Sequence, residues 1–113
     1  RYAQLVEETI TNLKKLGELK GGEYAGDSDR LANFRRNAAA LGLPMESIWA
    51  VYCAKHSDAV MQYVQDINSG KDRIRLEPIS GRLDDIIVYC ILFKAMIEER
   101  ESLNLPAVTE FRT

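Results

Sequence analysis

Asp29, Arg30, Asn33 and Asn37 fall three or four residues apart, so on a helix they share one broad face, with Leu31, Phe34 and Ala38 on the apolar face beside it. Arginine grips a phosphate through two parallel hydrogen bonds. Asparagine donates and accepts at once and can read a base or sugar edge. Asp27 or Ser28 can cap the free N–H groups of the first turn. Two asparagines beyond that cap are more polar function than packing requires, because Asn is a poor helix former. Glu23 and Tyr24 lie just upstream, where Tyr24 either stacks on a base or covers the core. Two further polar clusters interrupt apolar helical stretches: Lys55-His56-Ser57-Asp58, and Arg82 with Asp84, Asp85 and Tyr89. The three clusters are expected to form one polar pocket.

Each cluster also has a plain structural reading. His56 is the only histidine and sits in the middle of an apolar face, where a hydrogen-bonded core residue is the ordinary outcome. Lys55 and Asp58 read either as a solvated ion pair worth about 0.3 kcal/mol or as a mobile phosphate-binding cation beside an acid. Asp84 fits a helix N-terminus by complementing the macrodipole. Asp85 shares a stripe with Arg82 and Tyr89, and can bind a cation such as Mg²⁺ or orient Arg82. Phosphate-cradling glycine loops, paired CxxC motifs and a Ser/His/Asp order are not evident.

Four helices must position these residues. Leu5, Thr9, Leu13 and Leu16, widened by Val6 and Ile10, mark a helix over about 2–20, stopped by Gly21-Gly22. A second is expected over about 28–41, ending at Gly42. A third opens with Pro44 in its first turn and runs to about Asn68; a fourth opens at Pro78 and runs to about Ser102. Residues 72–77 alternate in polarity but have no strand partner, so a loop is expected there. Residues 103–113 read as an extended tail. The 113 residues form one domain, 46% hydrophobic and 28% charged, with a formal net charge of −2. That balance provides no basic field for nucleic acid. The local basic spots, Arg35-Arg36 and Lys71, Arg73 and Arg75, lack interleaved aromatics. Cys53 and Cys90 read as small buried hydrophobes in a reducing, cytoplasmic setting. No apolar run reaches the length of a membrane span. Because the chain opens on Arg1 rather than Met, some leading residues are expected before it.

Winding the third helix at about 100° per residue puts Ile48, Trp49, Tyr52, His56, Ala59, Val60, Tyr63 and Ile67 on one face. Val51, Lys55, Asp58 and Gln62 line the opposite edge. The fourth helix has two apolar faces: Leu83, Ile86, Ile87, Cys90 and Ile97 on one, Arg82, Asp85, Tyr89, Leu92, Phe93 and Met96 on the other. Three other helices of one small chain cover only part of this. A homo-oligomer is therefore expected, with an intersubunit helix interface.

The runs Glu23-Tyr24-Ala25-Gly26-Asp27, Asp29-Arg30-Leu31-x-Asn33-Phe34, Lys55-His56-x-Asp58 and Glu77-Pro78-Ile79-x-Gly81-Arg82-x-x-Asp85 resemble a family of phage proteins. These are the nucleotide modification associated domain proteins of the first type. The likeness spans about residues 18–100. The helical layout also resembles the MazG-like all-α nucleoside triphosphate pyrophosphatases. The first resemblance implies a role with nucleotides in a host cytoplasm. The second implies an all-α, four-helix bundle-like fold and acidic pairs that hold Mg²⁺. At the positions matching those acids the chain has Lys55 and Asp58, then Arg82 and Asp85. Two cations thus replace acids and can neutralise phosphate directly.

Three functions follow. The first is nucleotide binding or sequestration, with Arg30, Lys55 and Arg82 on phosphates, Asn33 and Tyr24 on base or sugar, Asp29 and Tyr89 in the pocket, and His56 orienting a neighbour. The second is a Mg²⁺-dependent nucleotide pyrophosphohydrolase with Asp58, Glu77 and Asp85 as metal ligands. The third is a helical assembly protein without a small ligand, expected if the clusters point to separate surfaces.

Overall fold

Four helices follow one another: α1 (Tyr2–Lys20), α2 (Ala32–Leu41), α3 (Met45–Ser69) and α4 (Ile79–Ser102). The computed structural model describes residues 1–20 and 29–105, with side chains throughout except at 17–20. Among these residues there is no strand, and the domain is an all-α bundle. The Gly21-Gly22 stop, Tyr24, the Asp27 or Ser28 cap and the tail from Pro106 lie outside the described residues.

The helix ends follow from local chemistry. α2 starts at Ala32, later than its polar pattern suggests. Asp29 is the reason: its Oδ1 accepts the Leu31 N–H at 2.9 Å, a side-chain turn that competes with helix. Gly42 (φ 67°) and Gly70 (φ 69°) end α2 and α3 in the left-handed region, which glycine reaches without a Cβ penalty. Leu43 N–H then returns to the Ala38 carbonyl and Lys71 N–H to that of Asp66. Pro44 and Pro78 stand one residue before their helices rather than inside the first turn, in extended conformation. The Pro78 carbonyl accepts the N–H groups of Gly81 and Arg82.

α3 and α4 run antiparallel. Glu46 pairs with Arg100 at one end, and His56 meets Arg82 and Asp85 toward the other. Between them Trp49 donates its indole N–H to the Tyr89 carbonyl at 2.7 Å and lies 4.5 Å from the Phe93 ring. α2 crosses this pair, placing Phe34 against Tyr52 and Tyr89. The core is Leu31, Phe34, Ala38, Ile48 and Met96, with Trp49, Tyr52, Tyr89, Leu92 and Phe93 packed around it. Among the described helices, α1 packs against α4.

Two expectations about burial need correction. Cys53 is buried but Cys90 is exposed, because no other described helix fully covers the α4 side carrying Leu83, Ile87 and Ile91. Tyr63 and Ile67 are exposed as well. α3 outruns its antiparallel partner, so its last turns have no α4 residues opposite them.

Arg35 ties α2 to the C-terminal end of α4. Its Nε donates to Asp29 Oδ2 at 2.8 Å, and its Nη1 to Glu99 Oε2 at 2.6 Å. The Arg35 guanidinium holds both carboxyls below their ordinary values of 3.8 and 4.5, with the Leu31 N–H adding to the effect at Asp29. A depressed folded pKa gives stability that is present above the unfolded value and is lost as pH falls through the folded one. Urea melts should therefore show wild type more stable than Arg35→Gln by on the order of 1 kcal/mol at neutral pH, a value limited by solvent screening. That difference should shrink as pH falls below the ordinary carboxylate values and through the lowered folded ones.

Candidate functional site

A histidine, an arginine and an aspartate interrupt the apolar α3–α4 seam. His56 Nδ1 lies 3.1 Å from Arg82 Nη1 and 3.6 Å from Asp85 Oδ2. Both the His56 and Asp85 side chains are largely buried. Arg82 Nε reaches Glu77 Oε2 at 3.3 Å. The Tyr89 ring sits 5.3 Å from the imidazole. Burial pushes the Tyr89 phenol up, and the negative charge of Asp85 adds to this, so Tyr89 stays protonated and able to donate at neutral pH. Helical spacing produces the group: Arg82, Asp85 and Tyr89 stand three and four apart on α4, facing His56 on α3.

Beside this group opens a cleft of about 450 Å³ between α1 and the start of α4. Asn12, Lys15 and Leu16 form its α1 wall. Glu77, Pro78, Gly81, Asp84 and Asp85 form the other. Asp85 thus belongs both to the cleft and to the buried polar group, and Glu77 links the cleft to Arg82. Asn12 and Lys15 were not expected from the sequence. An available signal was Asn12 itself, a poor helix former in mid-helix.

The other expected site residues lie elsewhere. Asp29 is held by Arg35 near Glu99. About four turns of α4, roughly 20 Å, separate Glu99 from Asp85. The Asp29 cluster and the Arg82 cluster therefore do not share a cavity within one chain. Arg30 is exposed on the turn before α2. Asn33 Oδ1 accepts from Arg36 at 3.0 Å, and the Asn37 amide donates to the Tyr52 hydroxyl at 3.0 Å. The polar excess of α2 is thus largely engaged in contacts inside the chain. Lys55 and Asp58 are exposed on the outer edge of α3.

Asp58, Glu77 and Asp85 form no metal cage: among the described residues no three His, Cys, Asp or Glu side chains gather as one. Asp58 faces outward, Glu77 engages Arg82, and Asp85 faces His56.

The sequence also gave no warning of the network at the end of α3. Asp66, only 3% exposed, accepts from Arg73 Nε at 2.8 Å and Arg75 Nη2 at 2.7 Å. The hydrogen bond from Arg73 is the main cause holding the Asp66 carboxyl below its ordinary value. Arg75 also lies 4.7 Å over the Tyr63 ring, so this basic spot does contain an aromatic, drawn from α3. No described helix is long and apolar enough to cross a membrane. Comparison with family models, with curated proteins and with solved structures finds no match for this chain.

Proposed function

We propose that this protein binds a nucleotide or nucleotide-like molecule in the α1–α4 cleft, and that it works as a homo-oligomer. One observation carries the reading: a His–Arg–Asp group buried in an apolar seam, opening onto a cleft through Asp85 and Glu77. Burying such groups costs free energy that plain packing does not require. Arg82 supplies a planar fork suited to phosphate. Glu77 is exposed enough to swing aside and release that fork to a ligand. Lys15 adds a point charge from the facing wall, and Asn12 a donor and acceptor for a sugar or base edge. The motif resemblance to phage nucleotide modification associated domain proteins supports the choice of nucleotides.

The oligomer part rests on the uncovered apolar side of α4, where Leu83, Ile87 and Ile91 are exposed. A thermal-shift panel of nucleoside mono-, di- and triphosphates, with and without Mg²⁺, tests the ligand. A ligand at one hundred times its Kd stabilises by about 2.7 kcal/mol, a shift of several degrees for a domain of this size. A flat response across the panel rejects nucleotide binding.

A second reading, Mg²⁺-dependent turnover of the bound nucleotide, rests on the MazG-like resemblance of the sequence and not on a metal cage, since Glu77, Asp84 and Asp85 on the cleft wall form none. It is checked by pyrophosphate or phosphate release that a chelator stops. Binding without release, across the same panel, leaves the first reading standing alone.

A further inference from the structure

Charge limits what the α1–α4 cleft can hold. Its described lining carries three carboxylates, Glu77, Asp84 and Asp85, against one ammonium group, Lys15. Arg82 adds a second cation at the edge, 3.3 Å from Glu77. His56 adds none. A guanidinium has donors only, so the 3.1 Å contact of Arg82 Nη1 makes His56 Nδ1 an acceptor and leaves the imidazole neutral. Asp85 Oδ2, 3.6 Å from the same nitrogen, is too far to accept a hydrogen bond from it. The first turn of α4 contributes only about half a positive charge.

A cleft of about 450 Å³ is roughly 8–10 Å across, about one Debye length at physiological salt. A ligand anywhere within it therefore feels the wall charges. A single terminal phosphate carries about −1.5 to −2 at neutral pH. Arg82 and Lys15 together match that charge. Each further phosphoryl group adds negative charge, and the described lining offers it carboxylates rather than a third cationic side chain. The three acids are not equivalent. Glu77 is paired with Arg82, and Asp85 faces His56 in the seam. Asp84 lines the cleft half-buried and pairs with no described cation.

We propose that this cleft selects by phosphate number: without a divalent cation it takes a nucleoside monophosphate in preference to the di- or triphosphate, and Asp84 is the residue that enforces the limit. The proposal rests on the nucleotide-binding reading above and deepens it by naming the ligand class. Asp84 acts by repulsion, so the discrimination comes from disfavouring the wrong ligand as well as from gripping the right one.

Isothermal calorimetry of the full chain with the mono-, di- and triphosphates of each common nucleoside, all in EDTA, tests this. The monophosphate of the preferred nucleoside is expected to bind about tenfold more tightly than its triphosphate, or better. Asp84→Asn keeps the shape and removes the charge, and is expected to close that gap by about threefold, chiefly by tightening the triphosphate. Asp84→Glu keeps the charge and should keep the gap. Raising NaCl from about 50 to 500 mM should narrow the gap in wild type. The salt series needs no variant, so it decides even where a substitution impairs folding. A triphosphate that binds as tightly as the monophosphate in EDTA overturns the inference and leaves the nucleotide reading standing. An unchanged ratio in Asp84→Asn, with helical circular dichroism retained, overturns the role of Asp84. A ratio indifferent to salt overturns the electrostatic basis. Silence from every nucleotide overturns the nucleotide reading and the selectivity with it.

Discussion

Met96→Ala is expected to lower the unfolding free energy by about 2–5 kcal/mol. Met96 is 1% exposed and contacts a core made of Leu31, Phe34, Ala38 and Ile48. Those residues come from α2, α3 and the turn before α2, so one side chain on α4 fills the space where three elements meet. Removing it takes apolar surface out of contact and leaves a cavity that the helices close only in part. Domains of this kind have only about 5–15 kcal/mol to lose. The described part of the chain buries just six apolar side chains, which leaves little reserve. A urea melt should show a midpoint lowered with little change in slope. Met96→Leu, which conserves volume, should cost less than about 1.5 kcal/mol. If Met96→Ala is as stable as wild type, the α2–α3–α4 junction is not the core.

Arg82→Ala is expected to weaken nucleotide binding by about 10- to 100-fold, the range set by losing a hydrogen-bonded charged group worth roughly 1.5–3 kcal/mol. Arg82 stands between the buried group and the cleft: it contacts His56 at 3.1 Å and Glu77 at 3.3 Å. Truncation also removes the arginine that His56 meets in the seam, so some loss of stability accompanies the loss of affinity. The two effects separate by titration. A ligand-dependent thermal shift is measured from each variant's own baseline, and isothermal calorimetry reports the affinity directly. Arg82→Lys retains the charge but not the planar fork, and should recover stability more fully than affinity. Unchanged affinity in Arg82→Ala would move the ligand away from this cleft.

Helix periodicity made the architecture legible. Apolar spacing marked four helices, and Gly42 and Gly70 end two of them in the left-handed conformation their lack of a Cβ permits. The loop reading of residues 72–77 agrees with the absence of a strand there. The polar face of α2 was less informative. Asp29 and Arg30 precede the helix instead of lying on its face, Asn37 supports Tyr52, and Asp29 supports the turn before α2 and Arg35. Spacing reports which residues share a face. It does not report what that face meets.

By itself, then, the sequence determined helix number, approximate helix limits, the face of α4 carrying Arg82, Asp85 and Tyr89, and the surplus of apolar surface on that helix. Those are local properties, set by 3.6-residue periodicity and backbone preference. Only the tertiary structure decided which polar residues meet. The antiparallel run of α3 on α4 brought His56 to Arg82 and Asp85 and carried Glu99, with Asp29, to the opposite end. It also decided that Lys15 and Asn12 of α1 face that group across a cleft, and that Asp66 turns two arginines inward. Each of these is a contact between segments distant in the chain, and such contacts depend on how helices cross, which no local spacing encodes.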